Sequence, residues 1–144
     1  IIKIVKVNRS RTNQQVFESI THKSSLDKKI VEEMPSSEEE EMEIHFVPFR
    51  KYFYSANVLE EAVDKAGYKF VDPIALCAVY EQDQSPDADY YPNFTQWRNE
   101  NGRVSYVEFV KTWIGSKTLV VAMSIARTSD LCLPADYFIG CVCK

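Results

Sequence analysis

Glycine is scarce in this chain, which contains four glycines among 144 residues. Few turns can therefore use the positive φ angles that glycine adopts easily. A loop that binds phosphate through its backbone needs closely spaced glycines, and the sequence has no such loop. It also has no Gly-x-Ser-x-Gly and no His-Glu-x-x-His motif. These absences argue against P-loop nucleotide-binding proteins, α/β-hydrolases and zinc proteases.

Long apolar runs are also missing. No stretch approaches the roughly 20 apolar residues that a membrane-spanning helix needs, and the longest apolar segments, such as 119–123, have the length of a strand. The first residues include Lys3 and Lys6 and lack the apolar core of a signal peptide. We therefore expect a soluble, cytoplasmic protein without a membrane partner, although a chain that starts without Met is also compatible with a removed leader.

Paired cysteines at the Cys-x-x-Cys spacing of zinc sites do not occur, so we expect no metal site and no cofactor. Cys77 lies in an apolar run and is expected to be a buried thiol. Cys141 and Cys143 lie two residues apart, so they share one side of a strand. Reduced thiols are the first expectation, and a disulfide between Cys132 and Cys141 or Cys143 is the alternative.

Histidine is rare, with only His22 and His45 available as general bases. A cysteine–histidine catalytic pair requires one of them to lie beside a thiol, and their spacing along the chain does not indicate this. Asp83, Asp87 and Asp89 provide carboxylates, but their polar surroundings predict a solvated loop. We therefore assign no catalytic residue, and the sequence favours a protein that is not an enzyme.

The net charge of −4 is distributed unevenly. Residues 32–43 hold seven Glu and no basic residue, and repulsion between these carboxylates predicts a solvated segment within a single domain of residues 1–144. An acidic docking surface is the alternative. The opposite charge is concentrated near the start of the chain, at Lys3, Lys6, Arg9 and Arg11. Convergence of these four residues on one face would indicate a nucleic-acid or phosphate site, which the negative net charge disfavours.

Hydrophobic periodicity predicts an α+β domain with a mixed or antiparallel sheet, a central pair of helices and a β-rich C-terminal third. Apolar spacing predicts helices at 13–20, 55–66 and 73–80. Ser55 or Asn57 is expected to cap the second helix, and Asp72 followed by Pro73 opens the third. Alternating or β-branched runs predict strands at 1–7, 42–49, 94–98, 103–110, 118–124 and 137–143.

The segment at residues 90–97 is rich in Tyr, Phe and Trp. Because Tyr and Trp dominate the energetics of protein interfaces, this segment is the candidate contact surface. The candidate residues are Tyr90, Tyr91, Asn93, Phe94 and Trp97. Packing of the same rings against the sheet is the alternative interpretation.

Several short motifs occur in a fixed order along most of the chain. They are Lys-Ile-Val-Lys-Val-Asn-Arg-Ser at residues 3–10 with Phe17, a helix followed by Gly67 and Asp72-Pro73, and Tyr-Pro-Asn-x-Thr-x-Trp at residues 91–97 with Gly102. In this order the chain resembles a group of small uncharacterised bacterial proteins, some of them prophage-encoded. Those proteins usually have Gly where this chain has Phe94, so the turn there must differ. The resemblance implies a bacterial or phage setting and brings no catalytic residue.

These observations together predict a non-enzymatic accessory protein that binds an as yet unidentified protein. An enzyme of unrecognised type is the alternative, and a cleft that contains His45 or a cysteine under the loop at 83–89 would favour it. A nucleic-acid-binding or phosphate-binding module is the third hypothesis. Exposed edges of the predicted sheet are compatible with a homodimer.

Overall fold

The computed structural model describes residues 1–24, 28–128 and 131–144. Within these residues the helices are α1 (Asn13–Ser19), α2 (Lys28–Glu32), α3 (Ala56–Lys65) and α4 (Pro73–Gln82). The strands are β1 (Ile2–Lys6), β2 (Glu41–Pro48), β3 (Tyr68–Phe70), β4 (Asn93–Arg98), β5 (Val104–Ile114), β6 (Thr118–Thr128) and β7 (Phe138–Cys143). The mixture of helices with one mixed sheet confirms the predicted α+β class.

Local signals define where two of the predicted helices begin. Thr12 precedes α1 and accepts a hydrogen bond from the backbone N–H of Gln15, whose side chain accepts one from the Thr12 N–H in return. This reciprocal arrangement is a capping box. Ser55 precedes α3 and accepts a hydrogen bond from the Val58 N–H, so the other predicted cap, Asn57, lies inside the helix.

Helix α4 is the buried helix that the sequence predicts. Asp72 caps it by accepting a hydrogen bond from the Ala75 N–H at 3.0 Å, and Pro73 occupies the first turn. All residues from Pro73 to Tyr80 are buried. Burial stabilises a fold by about 25 cal/mol per Å² of apolar surface. Because α4 is buried on all sides over these residues, it forms the centre of the core.

The sheet has the strand order β1-β2-β7-β4-β5-β6, and β3 pairs with β7 beyond the end of the β4 ladder. Among the named strand pairs only β4 and β7 run parallel. The strands predicted at 94–98, 103–110 and 118–124 form β4, β5 and β6, which pair antiparallel in that order, but β5 and β6 each extend to 11 residues. Strands β1 and β6 form the two edges of the sheet.

Two short elements were not evident in the sequence. The sequence predicts only a connection at residues 67–71, whereas β3 forms there and pairs with β7. It predicts no structure in the polar stretch at 21–40, whereas α2 forms at Lys28–Glu32; residues 25–27 of that stretch lie outside the described part of the chain. Both elements are too short to show a period, so tertiary packing determines them.

Each face of the sheet carries its own hydrophobic cluster. The inner face is covered by α1, α2 and α4, which pack on residues such as Ile44, Phe46 and Phe109. The outer face is covered by α3, whose Leu59 and Val63 pack on β4 and β7. Among the described residues, the outer cluster includes none from β1. The outer face of the β1–β2 corner is therefore open to solvent.

Arg9 joins three distant parts of the chain. Its guanidinium donates to both carboxylate oxygens of Asp72, at 2.8 and 3.1 Å, and to the hydroxyls of Ser36 and Ser37. It also donates to the backbone oxygen of Glu39. The Arg9 and Asp72 side chains are only 11 and 9 % exposed. The acidic segment at 32–43 is therefore anchored by Arg9, while all seven of its Glu residues are exposed.

We expect Arg9→Met to lower the free energy of unfolding by about 3 kcal/mol, because Asp72 would keep a nearly buried charge without its partner. Arg11→Met breaks a more exposed ion pair with Glu81 and should cost about 1 kcal/mol or less. Urea denaturation of both variants at neutral pH measures the difference. Equal losses of unfolding free energy in the two variants would show that burial of the Arg9–Asp72 pair does not increase its contribution to stability.

Two buried hydroxyls offer a matched test of hydrogen bonding in the sheet. Thr95 donates from Oγ1 to the backbone oxygen of Val71 at 2.6 Å. The Ser105 hydroxyl is equally buried but has no partner among the described residues. Removing a satisfied buried hydroxyl leaves its partner unsatisfied, whereas removing an unsatisfied hydroxyl leaves nothing behind.

Thr95→Val should therefore destabilise the protein by about 1 to 2 kcal/mol. Ser105→Ala should change the stability by less than about 0.5 kcal/mol, or increase it, since it removes the cost of an unpaired polar atom. Thermal and urea denaturation of the two variants would show the contrast. A loss in Ser105→Ala as large as that in Thr95→Val would mean that Ser105 has a partner in solution.

Candidate thiol–imidazole site

The outer face of the sheet brings Cys143 and His45 together, although they are 98 positions apart in the sequence. His45 on β2 lies opposite Cys141 on β7, and Cys143 follows two residues later on the same face. Tyr68 on β3 lies opposite Cys143 from the other side. The Cys143 Sγ is 3.7 Å from the His45 Nε2. Three strands therefore build one cluster, called the thiol site below.

The two nitrogens of His45 have different partners. The Tyr68 hydroxyl lies 3.3 Å from Nδ1, and a carboxylate oxygen of Glu43 lies 3.0 Å from Nε2, on the side of Cys143. A hydroxyl can donate or accept, so Tyr68 can hold either neutral tautomer of the ring. The Glu43 carboxylate can only accept, so Nε2 donates to it in this arrangement, and Nε2 can accept the thiol proton only when Glu43 has moved away. When the ring is protonated, Nε2 also donates to Glu43.

A cavity of about 480 Å³ adjoins the thiol site. Cys143 and Glu43 form part of its wall, and Lys69 adds a positive charge. Gln96 and Trp97 also line it, and each buries one polar atom that has no hydrogen-bond partner among the described residues. This volume suits a small molecule. The cavity can therefore hold a small polar molecule next to Cys143, although His45 is not one of its lining residues.

The other three cysteines differ from Cys143 in their surroundings. All four thiols are free in the structure. Burial raises the pKa of Cys77 and of Cys141 to about 12, which makes both thiols inert at neutral pH. Cys132 is exposed and lies beside the Tyr52 hydroxyl rather than a histidine. Among the described residues, Cys143 alone combines an exposed thiol with a neighbouring imidazole.

The contact surface predicted at residues 90–97 lies inside the protein, so the expectation that it is near the surface is wrong. The exposed fractions lie between 1 and 8 % for Tyr90, Tyr91, Asn93, Phe94 and Trp97. Asn93, Phe94 and Trp97 are buried because β4 lies between β7 and β5 and is covered on both faces. Tyr90 and Tyr91 precede β4 and pack in the inner cluster. The alternative interpretation, packing of the rings on the sheet, is confirmed.

The basic residues near the start of the chain do not form one surface. Arg9 and Arg11 pair with Asp72 and Glu81. Lys3 lies over the ring of Tyr90 on the inner face, and the alternation along β1 directs the next lysine, at position 6, to the outer face. This dispersal argues against a nucleic-acid or phosphate site built from them.

The sequence analysis missed one exposed apolar feature at the other edge of the sheet. Residues 111–118, at the tip of the β5–β6 hairpin, are all exposed and are called the arm below. Trp113 and Ile114 in the arm are 62 and 48 % exposed. The signal was present in the sequence, since Trp113-Ile114 directly precedes the turn glycine, Gly115. Side chains at the tip of a long hairpin have no core to enter.

Comparison with family models, curated proteins and solved structures gave no match. Within the described residues, no group of three or more His, Cys, Asp or Glu side chains is arranged to hold a metal ion. In the same residues, no helix has the length and apolarity that crossing a membrane requires.

We expect iodoacetamide to alkylate Cys143 faster than Cys132, and His45→Gln to slow the reaction at Cys143 by about tenfold, because the thiolate is the reacting form. Peptide mass spectrometry over time measures each cysteine separately. Cys132 is the internal control, and an equal slowing at both cysteines would contradict a role for His45.

Proposed function

We propose that this protein is a thiol-dependent enzyme in which Cys143 attacks a small electrophilic molecule held in the adjoining cavity. The observation that carries the proposal is the 3.7 Å separation between the Cys143 thiol and the His45 imidazole, with Tyr68 on the opposite ring nitrogen. A nucleophile, a base and a third group that orients the base are the parts that covalent catalysis requires.

The chemistry that this arrangement supports is acyl transfer. His45 takes the proton from Cys143, and the thiolate adds to a carbonyl carbon of the substrate, so that a carbon–sulfur bond forms. The bond to the leaving group then breaks, and the leaving group departs with the proton from His45. Water, deprotonated by His45, hydrolyses the thioester to a carboxylic acid and restores the thiol.

Glu43 has a separate role in this scheme. It accepts a hydrogen bond from the protonated ring at the nitrogen that also faces Cys143. The Glu43 side chain is 58 % exposed, so it can move aside when the neutral ring has to accept a proton. The loop at 83–89 does not line this cavity, so the enzyme proposal rests on the thiol site without the loop.

Contact with another protein remains a second candidate function, now carried by the arm in place of the buried aromatic segment. Exposed Trp is the residue type most enriched in interface hot spots, and Trp113 is 62 % exposed. We also propose a bacterial or prophage setting and a cytoplasmic location, on the basis of the resemblance described above.

The enzyme proposal is tested with p-nitrophenyl acetate as the acyl donor. We expect a burst of p-nitrophenol and a mass increase of one acetyl group on Cys143. Cys143→Ser should abolish both signals, and His45→Gln should reduce the acylation rate by at least about a hundredfold. Cys132→Ser is the matched control and should behave like the unaltered chain. Acetylation that is unaffected by His45→Gln, or that falls equally on Cys132, would refute the proposal.

A further inference from the structure

The hydrogen bond between Glu43 and His45 keeps the base of the thiol site from acting. The Glu43 carboxylate lies 3.0 Å from the His45 Nε2, and because a carboxylate only accepts, Nε2 carries a proton. In the neutral ring Nδ1 then accepts from the Tyr68 hydroxyl, 3.3 Å away. The ring has no lone pair left for the Cys143 proton, although the thiol is only 3.7 Å from Nε2. Activation of Cys143 therefore requires Glu43 to leave the ring.

Glu43 also connects the imidazole to the cavity. Three side chains contact the ring, namely Tyr68, Glu43 and Cys143. Glu43 and Cys143 belong to the cavity wall, whereas Tyr68 and His45 do not. In the described part of the chain, Glu43 is therefore the one side chain that both occupies the base and borders a molecule bound beside the thiol. A ligand that attracts Glu43 releases Nε2.

The charges of the cavity wall determine which ligands attract Glu43. The charged side chains that line the cavity are Glu39, Glu43, Asp72 and Lys69. Arg9 neutralises Asp72 at 2.8 Å. Lys69 and both glutamates are exposed, and no ion pair joins Lys69 to either glutamate, all three being described residues. Two carboxylates and one ammonium therefore give the wall one net negative charge, which favours a positively charged ligand.

The direction of Lys69 explains why it does not release the ring itself. In the β3–β7 register Lys69 lies opposite Val142, and Tyr68 lies opposite Cys143. Successive side chains of a strand point to opposite faces, and Val142 packs against the inner cluster. Lys69 therefore approaches the cavity from the inner face, whereas Glu43 contacts the ring on the outer face. A mobile cation in the cavity does not have this restriction.

We propose that Glu43 makes the thiol site selective for substrates with a positively charged group, an ammonium or a guanidinium. Such a group pairs with the Glu43 carboxylate and draws it away from His45. Water then carries the Nε2 proton to Nδ1, which donates to Tyr68, and the Nε2 lone pair accepts the proton of Cys143. A neutral or anionic substrate leaves Glu43 on the ring. The inference rests on the proposed function, since it names the substrate class of the same site.

Iodoacetamide, a neutral reagent, tests whether Glu43 restrains the base. Glu43→Ala should raise the alkylation rate of Cys143 at least about threefold, because more of the reacting thiolate forms. The rate at Cys132 should not change. Glu41→Ala is the matched control, since it removes the same charge from the same face of β2 at a residue that lies opposite Lys6. It should leave both rates unchanged. A slower reaction of Cys143 in Glu43→Ala would show that Glu43 assists the thiolate, which overturns the inference.

Methanethiosulfonate reagents test the selection by charge. A thiolate attacks the reagent, a disulfide forms and methanesulfinate leaves. The rate ratio of the trimethylammonioethyl reagent to the neutral methyl reagent should be at least about fivefold higher at Cys143 than at Cys132. The excess should disappear in Glu43→Ala and persist in Glu41→Ala. Equal ratios at the two cysteines of the unaltered chain would overturn the inference.

His45→Gln distinguishes release of the base from simple attraction of a cation. With no imidazole to release, the excess ratio at Cys143 should fall below about half of its original value. An excess that keeps its full size would mean that Glu43 only attracts cations, which overturns the inference. Circular dichroism checks that each variant is folded.

The outcome is independent of the test with p-nitrophenyl acetate, because methanethiosulfonates need only a thiolate. A chain that shows the cation preference but is not acetylated keeps the role of Glu43 and refutes acyl transfer. Acetylation of Cys143 without the cation preference supports the enzyme and refutes the selectivity.

Discussion

The ion pair between Arg9 and Asp72 is the constraint on which much of this structure depends. Asp72 also caps α4, the helix at the centre of the core. Arg9 lies three residues after the end of β1 and donates hydrogen bonds to Ser36 and Ser37. Asp72 and both serines line the cavity beside the thiol site. One guanidinium therefore links the core helix, the acidic segment and the cavity wall. Its positive charge also offsets the repulsion among the glutamates of the acidic segment.

Local chemistry explains why much of the fold could be predicted from the sequence. The cap at Ser55, the Asp72-Pro73 helix start and the glycine at position 67, with φ of 85°, each act over a few residues. The alternation from Met42 to Phe46 places every second side chain in the core. Signals of this kind depend only on neighbouring residues, so they can be recognised in a single sequence.

The features that could not be predicted depend on partners far along the chain. Strand β3 exists because β7 lies beside it, and the thiol site exists because β2, β3 and β7 are neighbours in the sheet. The aromatic segment at residues 90–97 shows a different kind of error, because a local pattern led to a surface assignment for buried residues. Its Tyr and Trp residues have the composition of an interface, but only the sheet order shows that β4 is an inner strand. Composition does not distinguish a contact surface from a core strand that is covered on both faces.

The uncovered corner of the outer face determines how the thiol site is reached. Helix α3 covers β4 and β7 but not β1, and the same opening that leaves Ile2 and Ile4 exposed also gives solvent access to the thiol site. Ile2 lies directly opposite His45 in the β1–β2 register. A molecule bound along β1 would therefore lie next to the imidazole and reduce the water around it. Removing water strengthens the interaction between His45 and Glu43.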